Sequence, residues 1–295
     1  CSGRFVTLYD AEDRPHPDQL EEAWQTFRRS DAKIGALQAP LVIANPHRNW
    51  LTAHFHLEYA ALFRGVLQFL ARHGLPIPLG GTSTHFRREA IEACGRWDPY
   101  NVTEDADLGF RLWRTGFRVG LLTRQTLEDA PDEASVWLRQ RTRWLKGWIQ
   151  TWIVHSRRHT DRRQRFDLPG TAAMHVLLAG TVACALFYPM TVLTLAAVGV
   201  WSAVTDGAPI AWSALAVLDW TNILLAFIAH AALSLRTVDS HMRPFALRML
   251  PAMPVYWLFT SFAGWRAVKQ YFSEPFLWEK TPHRPHDPEG VKHFT

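Results

Sequence analysis

Thr103-Glu104-Asp105-Ala106-Asp107-Leu108-Gly109-Phe110-Arg111-Leu112-Trp113-Arg114-Thr115-Gly116-Phe117-Arg118-Val119-Gly120-Leu121-Leu122-Thr123 is the stretch that decides the fold. It reads as a helix over 104–115, capped by Thr103 and stopped at Gly116, then a strand over 118–123. The same alternation continues on both sides. Upstream, β-like runs at 4–9, 34–44 and 80–86 alternate with helical patterns at 17–30, 50–73 and 88–94. Leu20, Ala23, Trp24 and Phe27 keep helical spacing, and 50–73 reads as one long amphipathic helix. Downstream, 132–154 is helical. Strands alternating with helices indicate an α/β domain, here assigned to residues 1–154.

The composition then changes. Residues 155–175 form a basic linker whose cluster Arg157, Arg158, Arg162, Arg163 and Arg165 is interrupted only by the opposing Asp161. A basic flank before an apolar span suits a cytoplasmic face against anionic lipid. Residues 176–272 form an apolar region. The run 176–204 carries no charge and exceeds the ~20 residues needed to cross hydrocarbon, with Pro189 as a potential kink. A second candidate span, 211–235, is interrupted by Asp219, which either lies toward Arg236 or faces a channel. The loop between the spans holds Asp206-Gly207 and no Lys or Arg, which suits the outside. Arg236, Arg243 and Arg248 suit the inside. Residues 249–264, with Pro251 and Pro254, are short for a crossing and read as re-entrant or interfacial. Residues 273–295 read as a cytoplasmic tail.

A net charge of +5 over 295 residues is modest, and the reading expects no nucleic-acid partner. Cys1, Cys94 and Cys184 have no metal-ligand spacing. His47, His54, His56 and His85 form no tight ligand set. The chain opens in a strand that runs directly into an acidic cluster, so it reads as a C-terminal fragment.

Three polar clusters carry the chemistry. Asp10 and Glu12 lie two apart on an extended run and can face one ligand, with Asp13 at the turn. Carboxylates together with diphosphate oxygens suit Mg2+ or Mn2+. Taken alone, the cluster reads as a solvated acidic turn before a helix. Thr103, Glu104 and Asp105 open a helix, where acidic residues also complement the dipole. Asp105 is the candidate general base, with Glu104 beside it. Gln140, Arg143 and Trp144 share a helix face. Arg143 can steady a leaving diphosphate and Trp144 can offer an apolar face to a sugar ring. The same helix, with Trp137, Trp148 and Trp152, also suits a membrane interface.

The set resembles processive family-2 glycosyltransferases, the group of cellulose, chitin, hyaluronan and poly-N-acetylglucosamine synthases. Their Thr-Glu-Asp and Gln-x-x-Arg-Trp motifs fit at 103–105 and 140–144. The Asp-x-Asp motif departs, with Glu12 in place of its second Asp. Gly80-Gly81-Thr82-Ser83 resembles the family's acceptor-side loop, and Trp278-Glu279-Lys280-Thr281-Pro282-His283 a cytoplasmic segment after its last helices. The resemblance implies a partial GT-A (Rossmann-like) domain followed by transmembrane or interfacial helices in the inner membrane. It also implies a donor-binding half upstream, and hence a piece that is inactive by itself. It implies a metal held at Asp10, Glu12 and Asp13, catalysis by Asp105, Glu104 and Arg143, and substrate contacts from Gln140, Trp144, Thr103, Gly81 and Thr82. The expected partners are a nucleotide-diphosphate sugar, a glycan or lipid-linked acceptor, and membrane lipids. The reaction implied is inverting transfer to a growing polysaccharide. Its alternatives are single-sugar transfer to a lipid carrier or a catalytically silent receptor or scaffold.

Overall fold

The computed structural model describes residues 2–157, 167–205 and 210–279. Arg158, Asp161, Arg162, Arg163 and Arg165 of the basic linker, the Asp206-Gly207 loop, Cys1 and the segment 280–283 lie outside the described residues.

The first half alternates strand and helix, as the sequence indicates. In chain order it contains β1 (Phe5–Leu8), β2 (Arg14–Pro15), α1 (Gln19–Arg29), β3 (Ile34–Gln38), β4 (Leu41–Ile43) and α2 (Trp50–Ala61). These are followed by α3 (Leu67–Arg72), β5 (Thr84–Arg87), α4 (Arg88–Ala93), α5 (Glu104–Arg114), β6 (Arg118–Leu121), β7 (Thr126–Glu128) and α6 (Ala134–Ser156). A four-stranded sheet runs β1-β5-β3-β6, with β6 parallel to β3 and β5 antiparallel to both its neighbours. A three-stranded sheet runs β2-β7-β4.

The run 34–44 is therefore two strands in two sheets. Pro40 divides them, because it has no N–H to continue a ladder; its carbonyl instead accepts from Thr126 N at 2.9 Å. The short β2 and β7 carry no sequence signal long enough to register as strands. The helix over 50–73 is continuous but bulges into a π-helical turn at Leu62–Val66. Its first segment, Trp50–Ala61, is buried nearly all round and not amphipathic, since it lies between the sheets and the C-terminal helices, whereas Phe69, Arg72 and His73 near its end are exposed.

The second half is helical. Leu168–Met174 (α7), a π-helical turn at His175–Gly180 and Thr181–Val204 (α8) make one rod through Pro189. Ile210–Thr237 is α9, Arg243–Met249 is α10 and Met253–Ser273 is α11. The rod from Leu168 and the helix from Trp212 are long and apolar enough to cross a membrane, and only 17% and 6% of their most apolar windows are buried. A core helix of a soluble domain would be mostly covered. The segment 249–264 lies largely within α11, which extends to Ser273 and packs along α6 and α8. Asp219 is buried on α9. It does not reach Arg236, which lies roughly 25 Å further along the helix at about 1.5 Å per residue.

Candidate active site

The loop Gly80–Thr84 links the acidic turn to Asp105. Gln38, at the end of β3, holds it: its side-chain oxygen accepts from Gly80 N at 2.8 Å and Thr84 Oγ1 at 3.0 Å, and its amide donates to Thr82 O at 3.1 Å. Ser83 adopts a left-handed φ of 53°, with its hydroxyl 2.6 Å from Thr126 Oγ1. Held this way, Thr82 accepts from Asp10 N at 3.0 Å and hydrogen-bonds the Asp13 carboxyl. Gly81 lies against Asp105; a Cβ there would stand 3.0 Å from Asp105 Oδ2. Both glycine-loop residues named from sequence thus touch the chemistry-bearing carboxylates.

Helix α6 supplies the cation. It crosses the start of α5 at Gly147, where a Cβ would fall 2.1 Å from Thr103 Oγ1, so only glycine permits the approach. Thr103 consequently makes no side-chain cap, contrary to the expectation. Its buried hydroxyl is turned into this crossing, and its N–H donates to Asn101 Oδ1 at 3.0 Å. Asn101 in turn donates to Thr151 Oγ1 of α6 at 2.9 Å. One turn before Gly147, Arg143 sits in the combined field of Asp105, Glu104 and Asp10, and its guanidinium lies 5.2 Å from the Trp278 ring centroid. Asp10, Asp105 and Arg143 therefore share one electrostatic neighbourhood, although they come from three distant parts of the chain.

The electrostatics suit a base. Burial, and then the adjacent Glu104, push Asp105 up to about 7; the Ala106 N–H and Arg143 pull the other way. Asp13 is pushed to about 6 by burial and then by Asp10 and Glu12, against the Thr82 hydrogen bond. Asp10 and Glu12 are exposed. No three His, Cys, Asp or Glu side chains among the described residues form a ready metal cage. The donor set nevertheless fits Mg2+ or Mn2+: it is all oxygen, anionically crowded, and Asp13 Oδ2 is buried without a hydrogen-bond donor. Diphosphate oxygens would complete the coordination.

Gln140 is buried with its Oε1 unpartnered. Trp144 is part-buried in an aromatic cluster, stacked on Tyr59 at 6.4 Å and tilted against Phe55 at 5.7 Å. Arg141, between the two motif residues, is structural. It donates to Glu58 and to Tyr256 OH at 3.0 Å, under the rings of Phe55, Trp137 and Trp144. The histidines take structural places too: His85 pairs with Thr7 at 3.0 Å, and His54 with the Trp50 carbonyl at 2.7 Å.

The sequence reading did not single out Tyr59 or Glu128. Tyr59 hydrogen-bonds Glu128 and stacks on Trp144, which connects the acidic turn to the Gln-x-x-Arg-Trp face. Burial, then Asp13 and Asp10, push Glu128 up to about 8. Only the alternation within Thr126-Leu127-Glu128 signalled a strand, and three residues are too few to read.

A family model described as Glycosyl transferase family group 2 matches residues 5–260. A probable glycosyltransferase of Bacillus subtilis, YdaM, is 28% identical over 155 residues, 50% of this chain and 35% of that one. Beta-monoglucosyldiacylglycerol synthase of Trichormus variabilis is 28% identical over 152 residues, 51% of this chain and 32% of that one. The match thus spans about a third of each of these curated relatives. Among solved structures, the mannosyltransferase PcManGT of Pyrobaculum calidifontis, in complex with GDP-Man and Mn2+, superposes with a TM-score of 0.49 at 14% identity, covering 92% of this chain and 63% of that one.

Proposed function

The chain belongs to glycosyl transferase family group 2, and on that footing we propose that it transfers a sugar from a nucleotide-diphosphate donor to an acceptor hydroxyl at a membrane surface. The observation that carries this reading is the shared neighbourhood of Asp105, Arg143 and Asp10, joined through Gly81 and Thr82. Asp105 takes the proton of the attacking hydroxyl. Its elevated affinity for protons matches a base working near neutral pH. Arg143 faces the negative charge that develops on the leaving diphosphate, with no reorganisation needed at the moment of reaction. Asp10 and Glu12, with Asp13 behind them, would hold a divalent cation, which supplies charge neutralisation to the diphosphate. Gln140 and Trp144 line the acceptor side, and Glu104 raises the basicity of Asp105.

Inverting transfer to a growing polysaccharide is one form of this reaction. The named relative that makes monoglucosyldiacylglycerol favours the other, addition of a single sugar to a lipid. The exposed apolar rods would anchor the enzyme in the plasma membrane and give a lipid acceptor its approach, with catalysis on the cytoplasmic side. The test is Asp105→Asn in membranes or detergent, assayed with a panel of labelled nucleotide sugars. Loss of at least about 100-fold in transfer, with the melting temperature held, is the expected result. Near-normal turnover would remove Asp105 as the base. Product length then separates single addition from polymerisation.

A further inference from the structure

Glu128 stands where the sheet register puts a fourth acid beside the acidic turn. Strands β2 and β7 pair antiparallel with Arg14 opposite Leu127. Continuing the ladder by one residue sets Asp13 opposite Glu128, and opposed residues point to the same face, with Cβ atoms about 5 Å apart. β7 is fixed from its other side as well. It runs parallel to β4 with Ile43 opposite Glu128, and Ala44 N donates to Glu128 O at 2.9 Å. Leu127 turns the opposite way into the core. The backbone therefore leaves Glu128 no choice of face.

The oxygens lack sufficient donors. Tyr59 hydrogen-bonds the Glu128 carboxyl, and Thr82 that of Asp13. Yet Glu128 Oε2 and Asp13 Oδ2 are both buried with no hydrogen-bond partner. Burial and mutual repulsion oppose the ionisation of two carboxyls on facing strands, and a shared cation would remove that cost by meeting both oxygens. The nearby guanidinium does not supply it in full: Arg14 pairs with Asp129 at 3.0 Å.

We propose that Glu128 is a further ligand of the divalent cation, reaching it from β7 with Asp13 while Asp10 and Glu12 approach from the turn. This rests on the functional reading above. It assigns Tyr59 as the positioning residue that fixes the Glu128 carboxylate. It also gives a reason why the turn tolerates Glu12 where the related motif has Asp: a carboxylate from β7 lessens the dependence on that arm.

The test is Mn2+ alone, titrated into the detergent-solubilised chain and followed by the electron-spin resonance of free Mn2+, with melting temperature as a check on folding. Wild type binds Mn2+, and Glu128→Gln binds about 10–100-fold more weakly while remaining folded. Glu128→Asp, which withdraws the carboxylate by one methylene, serves if the amide variant does not fold, and also weakens binding. Unchanged Mn2+ affinity in a folded variant overturns the role of Glu128 and leaves the Asp10–Glu12 site standing. No Mn2+ binding by wild type overturns both.

Discussion

Two arginines two residues apart do different work. Arg143 sits in the field of Asp105, Glu104 and Asp10, whereas Arg141 is clamped to Glu58 and Tyr256 beneath three aromatic rings. Removing the charge of Arg141 strands the part-buried Glu58, so Arg141→Met should cost about 3–5 kcal/mol in denaturant unfolding. Arg143→Met should instead leave stability nearly intact and lower kcat about 100-fold or more. Equal losses of stability in the two variants would contradict the division. As the proposed base, Asp105 would set the pH response. Its carboxyl titrates at about 7 and must be ionised to accept a proton, so kcat/KM should rise with pH through about 7 and level off above it. A flat profile between pH 6 and 8 would point to another base.

At the scale of elements, the alignment of α5 with α6 is the controlling feature. Gly147 lets the helices touch, and a buried network holds them further along. His155 Nε2 lies 2.9 Å from Asp107 Oδ1, Arg111 Nε donates to Asp107 Oδ2 at 2.6 Å, and Arg114 Nη1 donates to His155 Nδ1 at 2.8 Å. With Nδ1 accepting, His155 is the neutral tautomer that donates from Nε2. Burial holds the His155 pKa below its ordinary value despite Asp107. Burial opposes the charge of Asp107, but the His155 hydrogen bond and Arg111 keep its carboxyl below the usual range. Both shifts have the same consequence. The unfolded chain takes up protons first, so stability is full above about pH 6.5, falls as His155 resists protonation, and falls again below about pH 4. Thermal melts from pH 7.5 to 5 should show this decline, and His155→Gln should lessen it, while His54, His56 and His85, also held low by burial, keep the remainder. An unchanged slope in that variant would rule out the network as its source.

For the whole molecule, the apolar rods are the surface left uncovered. Leu218 and Leu225 on α9 are 64% and 61% exposed and belong to an exposed apolar face with Leu215, Val217, Leu224 and Ile228, which suits a lipid surface. The full chain should float with phospholipid vesicles in a density gradient. Leu218→Arg with Leu225→Arg should leave more of it at the bottom, since each charge at a span centre costs about 3 kcal/mol. Wild-type chain that sediments without vesicles would remove the membrane from the account. α11 is tied to the catalytic half through Tyr256 and through Lys146, whose buried ammonium donates to the carbonyls of Glu274 and Leu277 at 3.2 and 2.6 Å. α11 and the α/β half thus share one hydrophobic core.

By itself the sequence determined the α/β order, the apolar second half and the three polar clusters, because periodicity, charge and motif spacing are local properties of the chain. Helix ends were legible at Gly95 and Gly116 for the same reason. Tertiary structure alone decided that Arg141 is clamped to Glu58 and Tyr256, that Thr103 packs on Gly147 and caps no helix, and that Glu128 comes beside Asp13. Those outcomes depend on helix crossing, on burial and on the pairing of strands more than a hundred residues apart. No local pattern encodes such a pairing, since a strand of two or three residues acquires its partner only when the rest of the core has closed around it.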